Sequence, residues 1–174
     1  MNIERVKGIK LFRKYRKANL VNEFINANSN IKWLRTVLNR EVAIGLENNN
    51  YYPSRAYDII TEGDFISEIV NQNNIFLLLD IAHAKVTAHN KQLIYDNYLD
   101  SLPLDKTIQL HICKPNIPGK GMAFDAHEAP NDQMFQEVLN LTKKYKKIKY
   151  LTIEYYKDKN ILIESILKNI STPL

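Results

Sequence analysis

The chain has 174 residues, 45% of them hydrophobic and 25% charged, with a formal net charge of +5. That length suits one domain with a sizeable core, and the composition is ordinary for a globular protein. The single cysteine, Cys113, excludes an internal disulfide and a cysteine-based zinc knuckle. No apolar run approaches the roughly 18–20 residues needed to span a bilayer, and the N-terminus lacks the apolar core of a secretory signal. A cytoplasmic protein with no membrane partner is expected.

Residues 1–19 are strongly basic, with Ile3, Val6, Ile9, Leu11, Phe12 and Tyr15 interleaved. The basic residues of the chain are dispersed, so a solvated face outweighs a nucleic-acid-binding arm, and no nucleic-acid partner is expected. Leu20, Phe24 and Ile25, then Ile31, Trp33, Leu34, Val37 and Leu38, stand at helical spacing. Asn28 and Ser29 can divide this run into two helices, and Trp33 reads as a core residue.

Val42 to Leu46 reads as a short strand running into Glu47, with Asn48 to Asn50 and Pro53 as the following loop. Phe65, Ile66, Ile69 and Val70 mark the buried stripe of a helix, and Thr61 with Asp64 has loose capping-box spacing. Ile75 to Leu79 is almost purely apolar, as a parallel strand covered on both faces should be, and stops at Asp80. Residues 91–102 read as a helix with Leu93, Ile94, Tyr98, Leu99 and Leu102 inward, ended by Pro103.

Thr107 to Leu110 forms a third strand that delivers His111. Residues 113–132 hold Pro115, Pro118, Gly119, Gly121 and Pro130 and fit no regular element; a loop that long is usually functional. Residues 133–146 form an amphipathic helix through Met134, Phe135, Val138, Leu139 and Tyr145. Tyr150 to Ile153 is a fourth strand ending at Glu154, and Asp158 to Ile170 a last helix. An opening α segment is thus followed by about four β-α units in a single domain, which predicts a parallel sheet with helical crossovers and chemistry at the strand C-termini.

Each strand ends in a residue able to bind a metal, and all four histidines fall between Phe76 and Glu128. Taken singly, an Asp or Glu after a strand is more often a turn or cap residue, and a lone His a satisfied polar group. Taken together, Glu47, Asp80, His83, His111, Asp125, His127 and Glu154 point to a metal site. Seven protein ligands exceed the needs of one ion, so two or more ions sharing a bridging carboxylate are expected. His89 is the weaker histidine, free to contact substrate or water, and Cys113 reads as a small buried side chain.

The segments LENNNYY, EGDFISEIV, LLLDIAH, AHN, YLDSLPLDKTIQLHI, FDAHEAP and LTIEYYKD follow in an order that resembles the multinuclear non-haem iron-dependent oxidative enzymes, whose founding member acts in methanobactin biosynthesis. The resemblance covers roughly residues 20–158. It implies part of a (β/α)8 TIM barrel of the xylose-isomerase type. It also implies two or three irons that activate dioxygen to modify residues, often cysteine, of a ribosomally made precursor peptide. A partner protein that binds the peptide's leader is implied as well.

By that resemblance Glu47, Asp80, His83, His111, Asp125, His127 and Glu154 are the metal ligands, while Asn48 and His89 stand beside them, behind the ligands or against substrate. Zinc or manganese is the alternative metal. Residues 1–40 show nothing like the family's opening β-α units, so a truncated or split barrel is expected, completed by self-association or a complementing fragment. The competing readings are an endonuclease IV-like or sugar-isomerase-like divalent-metal enzyme, and a non-catalytic remnant.

Overall fold

A computed structural model describes the backbone of residues 3–170 and the side chains of residues 20–167. Two compact units divide at Val42 and Ala43. The first is built on one helix, α1 (Ile3–Val37). The break expected at Asn28 and Ser29 does not occur, because either residue inside a helix costs less than about 0.7 kcal/mol relative to alanine. Residues 3–19 continue the same helix. Trp33, expected in the core, is 62% exposed.

The second unit carries a four-stranded, wholly parallel sheet in the order β1 (Gly45–Glu47), β2 (Phe76–Asp80), β3 (Thr107–Ile112) and β6 (Tyr150–Ile153). Helices α2 (Gly63–Gln72), α3 (Ile81–Lys91), α4 (Tyr95–Ser101), α5 (Asp132–Lys144) and α6 (Lys159–Ile170) lie between and after the strands. Parallel strands joined by helices, half as many as close an eight-stranded barrel, form a partial TIM-barrel-like fold of the xylose-isomerase type. Among the described residues no helix is long and apolar enough to cross a membrane.

Strand alternation divides the sheet into two faces. Leu77, Leu79, Leu110 and Ile112 are wholly buried and join Phe65, Ile66, Ile69 and Val70 of α2 in the core. Leu78, Gln109, His111 and Thr152 fall on the alternate positions and are half-buried. The register shifts by one residue between β2 and β3, so Leu77 pairs with Thr107 but Asp80 pairs with His111. Without that bulge Asp80 would sit level with Leu110, whose side chain points to the opposite face.

Several elements differ from expectation. The capping box at Thr61 does not form: Glu62 is the N-cap of α2, and the Thr61 hydroxyl donates to the Tyr57 carbonyl instead. The helix expected over 91–102 is shorter, α4 at Tyr95–Ser101, and an unexpected helix, α3, precedes it, the two separated by a break where Gln92 takes a left-handed φ of 57°. Leu93 and Ile94 fall in that break and are exposed, not inward. The stretch 113–132 is not irregular throughout, since β4 (Lys114–Asn116) and β5 (Phe124–Glu128) pair as an antiparallel hairpin.

Candidate metal centre

The junction between β2 and α3 sets the site. Asp80 ends the strand and caps the helix, its Oδ1 accepting the His83 N–H at 2.7 Å. Such caps satisfy a helix donor and hold the carboxylate at the positive end of the helix dipole. Asn48, wholly buried just after β1, clamps the same residue: its Nδ2 donates to the Asp80 carbonyl at 2.9 Å, and its Oδ1 accepts the Asp80 N–H at 2.8 Å. One side chain therefore ties the ends of β1 and β2 together.

Helix α3 fixes the loops around the site in the same way. The Thr87 hydroxyl donates to the Asn49 carbonyl at 3.1 Å and accepts the Tyr51 N–H at 3.0 Å. Asn90 holds Ala123 from both sides, donating to its carbonyl at 3.0 Å and accepting its N–H at 2.8 Å. His89 Nε2 lies 3.0 Å from the Gly121 carbonyl, so this histidine secures the hairpin loop and stands outside the acidic cluster.

Two imidazoles converge on one oxygen. His83 Nδ1 donates to the Asn48 carbonyl at 2.9 Å and His127 Nδ1 to the Glu154 carbonyl at 3.3 Å. Each bond leaves Nε2 facing Asp125 Oδ2, at 3.3 Å from His83 and 3.0 Å from His127. A neutral ring in this tautomer turns a lone pair towards a carboxylate, which is repulsive unless a proton or a metal ion lies between them. His127 takes a left-handed φ of 45°, uncommon for a residue with a side chain.

The second convergence lies at the ends of β1, β3 and β6. His111 Nδ1 is 2.8 Å from Glu154 Oε1 and 3.2 Å from Glu47 Oε1, yet makes no hydrogen bond of acceptable geometry with either. Asp80 Oδ2 is likewise buried without a hydrogen-bond partner. Donor atoms of Glu47, Asp80, His111 and Glu154 all lie within 4.8 Å of one another, as do those of Cys113, Asp125, His127 and Glu154. Ligands at right angles on one ion stand about 3 Å apart, given bonds of about 2.0–2.2 Å. Both groups could hold a metal ion, and Glu154 is common to them.

Four carboxylates crowd this space. Burial lifts the Asp80 carboxyl to about 6, against the pull of His83. Burial opposes charge on His83, but the hydrogen bond to Asp125 and the charges of Asp80 and Glu47 prevail and raise it to about 9. Burial would also raise Asp125, but hydrogen bonds from His83, Cys113 and the His127 N–H hold it at about 2. Burial, then the bond to Asp125, pushes the Cys113 thiol far above its usual range.

Of the seven residues expected at the site, Glu47, Asp80, His111, Asp125, His127 and Glu154 fall in the two four-donor groups. His83 belongs to neither group but touches Asp125. Cys113 was expected to be a small buried side chain outside the site, and Gln109 was not expected there; its amide lies 3.0 Å from His111 Nε2 and 2.9 Å from the Thr152 hydroxyl. Its place two residues before His111, on the same face of β3, was the available signal.

The fold and site define an α/β protein with an acidic and histidine-rich cluster at the C-terminal ends of parallel strands. Residues 21–168 match the family described as RiPP precursor modification enzyme MbnB/TglH/ChrH, and the chain belongs to that metal-dependent family. A UPF0276 protein of Caulobacter vibrioides is 31% identical over 102 residues, 59% of this chain and 35% of that protein. A UPF0276 protein of Vibrio parahaemolyticus is 30% identical over 104 residues, 58% of this chain and 35% of its own length. One from Psychromonas ingrahamii is 27% identical over 133 residues, 75% of this chain and 45% of its own. The matched part of the chain therefore spans 35–45% of the length of these curated relatives.

Proposed function

We propose that this chain carries part of a multinuclear non-haem iron site of an oxidase or oxygenase that modifies residues of a ribosomally made precursor peptide. The observation that carries the reading is the convergence of His83 and His127 Nε2 on Asp125 Oδ2, beside the buried and unpartnered Asp80 Oδ2. With both imidazoles neutral an all-protein arrangement sets their lone pairs against Asp125, and Asp80 Oδ2 stays unsatisfied in any protonation state of the histidines, whereas one or more cations among them satisfy both conditions. The ligands are Glu47, Asp80, His83, His111, Asp125, His127 and Glu154. Iron there would supply electron transfer and Lewis-acid activation of dioxygen.

The chain's own residues do the positioning. Asn48 and Asp80 hold the ends of β1 and β2 in register, and the Nδ1–H bonds of His83 and His127 to main-chain carbonyls fix which ring nitrogen faces the ion. Gln109 serves His111 in the same way. Its amide oxygen and nitrogen are interchangeable in orientation, and with the oxygen towards Nε2–H the ring presents an Nδ1 lone pair to Glu47 and Glu154. Tyr156, 78% exposed and 5.8 Å from the His127 ring, gives an aromatic rim against which a peptide side chain can rest.

A precursor peptide and a leader-binding partner protein complete this reading, and a second copy or a complementing barrel fragment supplies the remaining strands. The test is elemental analysis after anaerobic purification, followed by oxygen uptake with a cysteine-containing precursor peptide. Iron in excess of zinc, with peptide-dependent oxygen uptake once the partners are present, is the expected result. A chain that holds only zinc and consumes no oxygen under those conditions would refute the oxidative reading and favour a hydrolytic or isomerising metalloenzyme. Metal far below one ion per chain would favour a non-catalytic remnant.

A further inference from the structure

Cys113 follows the last residue of β3, is fully buried, and is the protein's single cysteine. Burial alone would make it a small packing residue, but its surroundings are polar. Its Sγ stands 3.0 Å from Asp125 Oδ1, on a carboxylate whose other oxygen faces two imidazoles. Sγ also lies within 4.8 Å of donor atoms on His127 and Glu154. A separation near 3.0 Å is what two donors at right angles on one ion show, given bonds of about 2.3 Å to sulfur and about 2.1 Å to oxygen. Independently of the cysteine, Asp80 Oδ2 is buried without a partner in the adjoining group, which shares Glu154.

We propose that Cys113 is a metal ligand, and that with Asp125, His127 and Glu154 it forms a sulfur-containing position beside the nitrogen- and oxygen-only position of Glu47, Asp80, His111 and Glu154. The inference rests on the reading of this cluster as a metal site and adds a ligand outside the seven assigned above. On metal binding the S–H bond breaks, sulfur keeps the electron pair and donates it to the ion, and the proton leaves to solvent. In the metal-free protein, burial and Asp125 hold the thiol protonated; a cation at the site inverts that balance. The two positions then differ in softness, and the one with sulfur favours softer ions.

The test uses the full chain with metal as the probe and needs no activity. Wild type, Cys113→Ser and Cys113→Ala are loaded anaerobically with Zn(II) or Co(II), and bound metal is counted. X-ray absorption of the zinc form should show a sulfur shell at about 2.3 Å, and the cobalt form a thiolate-to-metal charge-transfer band in the near ultraviolet. Both features should vanish in the two variants, with affinity at one position falling at least tenfold. Cys113→Ser keeps the volume and a hydrogen-bond donor, so it separates ligation from packing, and the wild-type spectra decide the question even if a variant fails to fold. Metal bound through nitrogen and oxygen alone overturns the proposal while leaving the metal site standing. No metal bound by wild type removes both.

Discussion

His83 and His127 reach Asp125 by the same device, a main-chain carbonyl holding Nδ1–H so that Nε2 points inward. Asp125 is therefore the residue whose charge the site can least do without. Asp125→Asn keeps the shape but removes the shared anion; we expect loss of at least one bound ion per chain by elemental analysis, with the far-ultraviolet dichroism unchanged. Full metal content in that variant would remove Asp125 from the ligand set. Gln109 acts one step back. Gln109→Leu should weaken metal binding by about 10- to 100-fold, the usual cost of losing a hydrogen bond behind a ligating histidine, and competition with a chromogenic chelator measures it. Asp80, His111 and Glu154 were legible because each follows a short apolar run, which announces a strand end. Thr87 and Asn90 were not, and Asn48 was placed beside the ligands by the family resemblance alone. Their partners are main-chain groups of Asp80, Asn49, Tyr51 and Ala123, far away in sequence, and side-chain patterning carries no record of such contacts.

Between elements a close fit lies at Gly63, the first residue of α2, against Ser101, the last of α4. A Cβ on Gly63 would fall 1.8 Å from Ser101 Oγ and 2.6 Å from its Cβ. Gly63→Ala should cost about 1–3 kcal/mol by overpacking, and less in a Ser101→Gly background, a non-additivity that urea titration of the four variants resolves. Equal costs in both backgrounds would place the strain elsewhere. Asn48→Ala should cost more. It strands the N–H and carbonyl of Asp80 in a dry interior at about 1–3 kcal/mol each, so a loss of about 2–6 kcal/mol is expected in the same titration. Helix α2 was legible through its stripe at Phe65, Ile66, Ile69 and Val70. Helix α3 was not legible: Ile81, Ala82, Ala84, Val86, Thr87 and Ala88 are all buried, so no apolar stripe stands out against a polar face. The β4–β5 hairpin escaped notice because its strands are short and the first contains Pro115.

At the scale of the molecule, the parallel sheet is half an eight-stranded barrel, and among the described residues its outer strands pair on one side only. β1 presents three residues at one edge, and β6 presents four at the other, with Tyr150 58% and Leu151 44% exposed. Four short apolar runs alternating with helical stretches made the parallel sheet legible, but no local pattern tells a strand whether its second neighbour lies in the same chain. An open edge with apolar side chains offers unpaired N–H and C=O groups to another strand, which natural sheets usually block with charge, proline or a covering element. Neither Tyr150 nor Leu151 supplies that block. The full chain should therefore associate with itself when no complementing fragment is present, and sedimentation velocity across a hundredfold range of concentration should show the mean mass rising. Leu151→Lys places a charge on the β6 edge at a 44% exposed position, on the face opposite Thr152 and Glu154, so it should lower the association while leaving metal content unchanged. A single monomeric boundary for wild type at every concentration would mean that the edge is closed by residues of this chain.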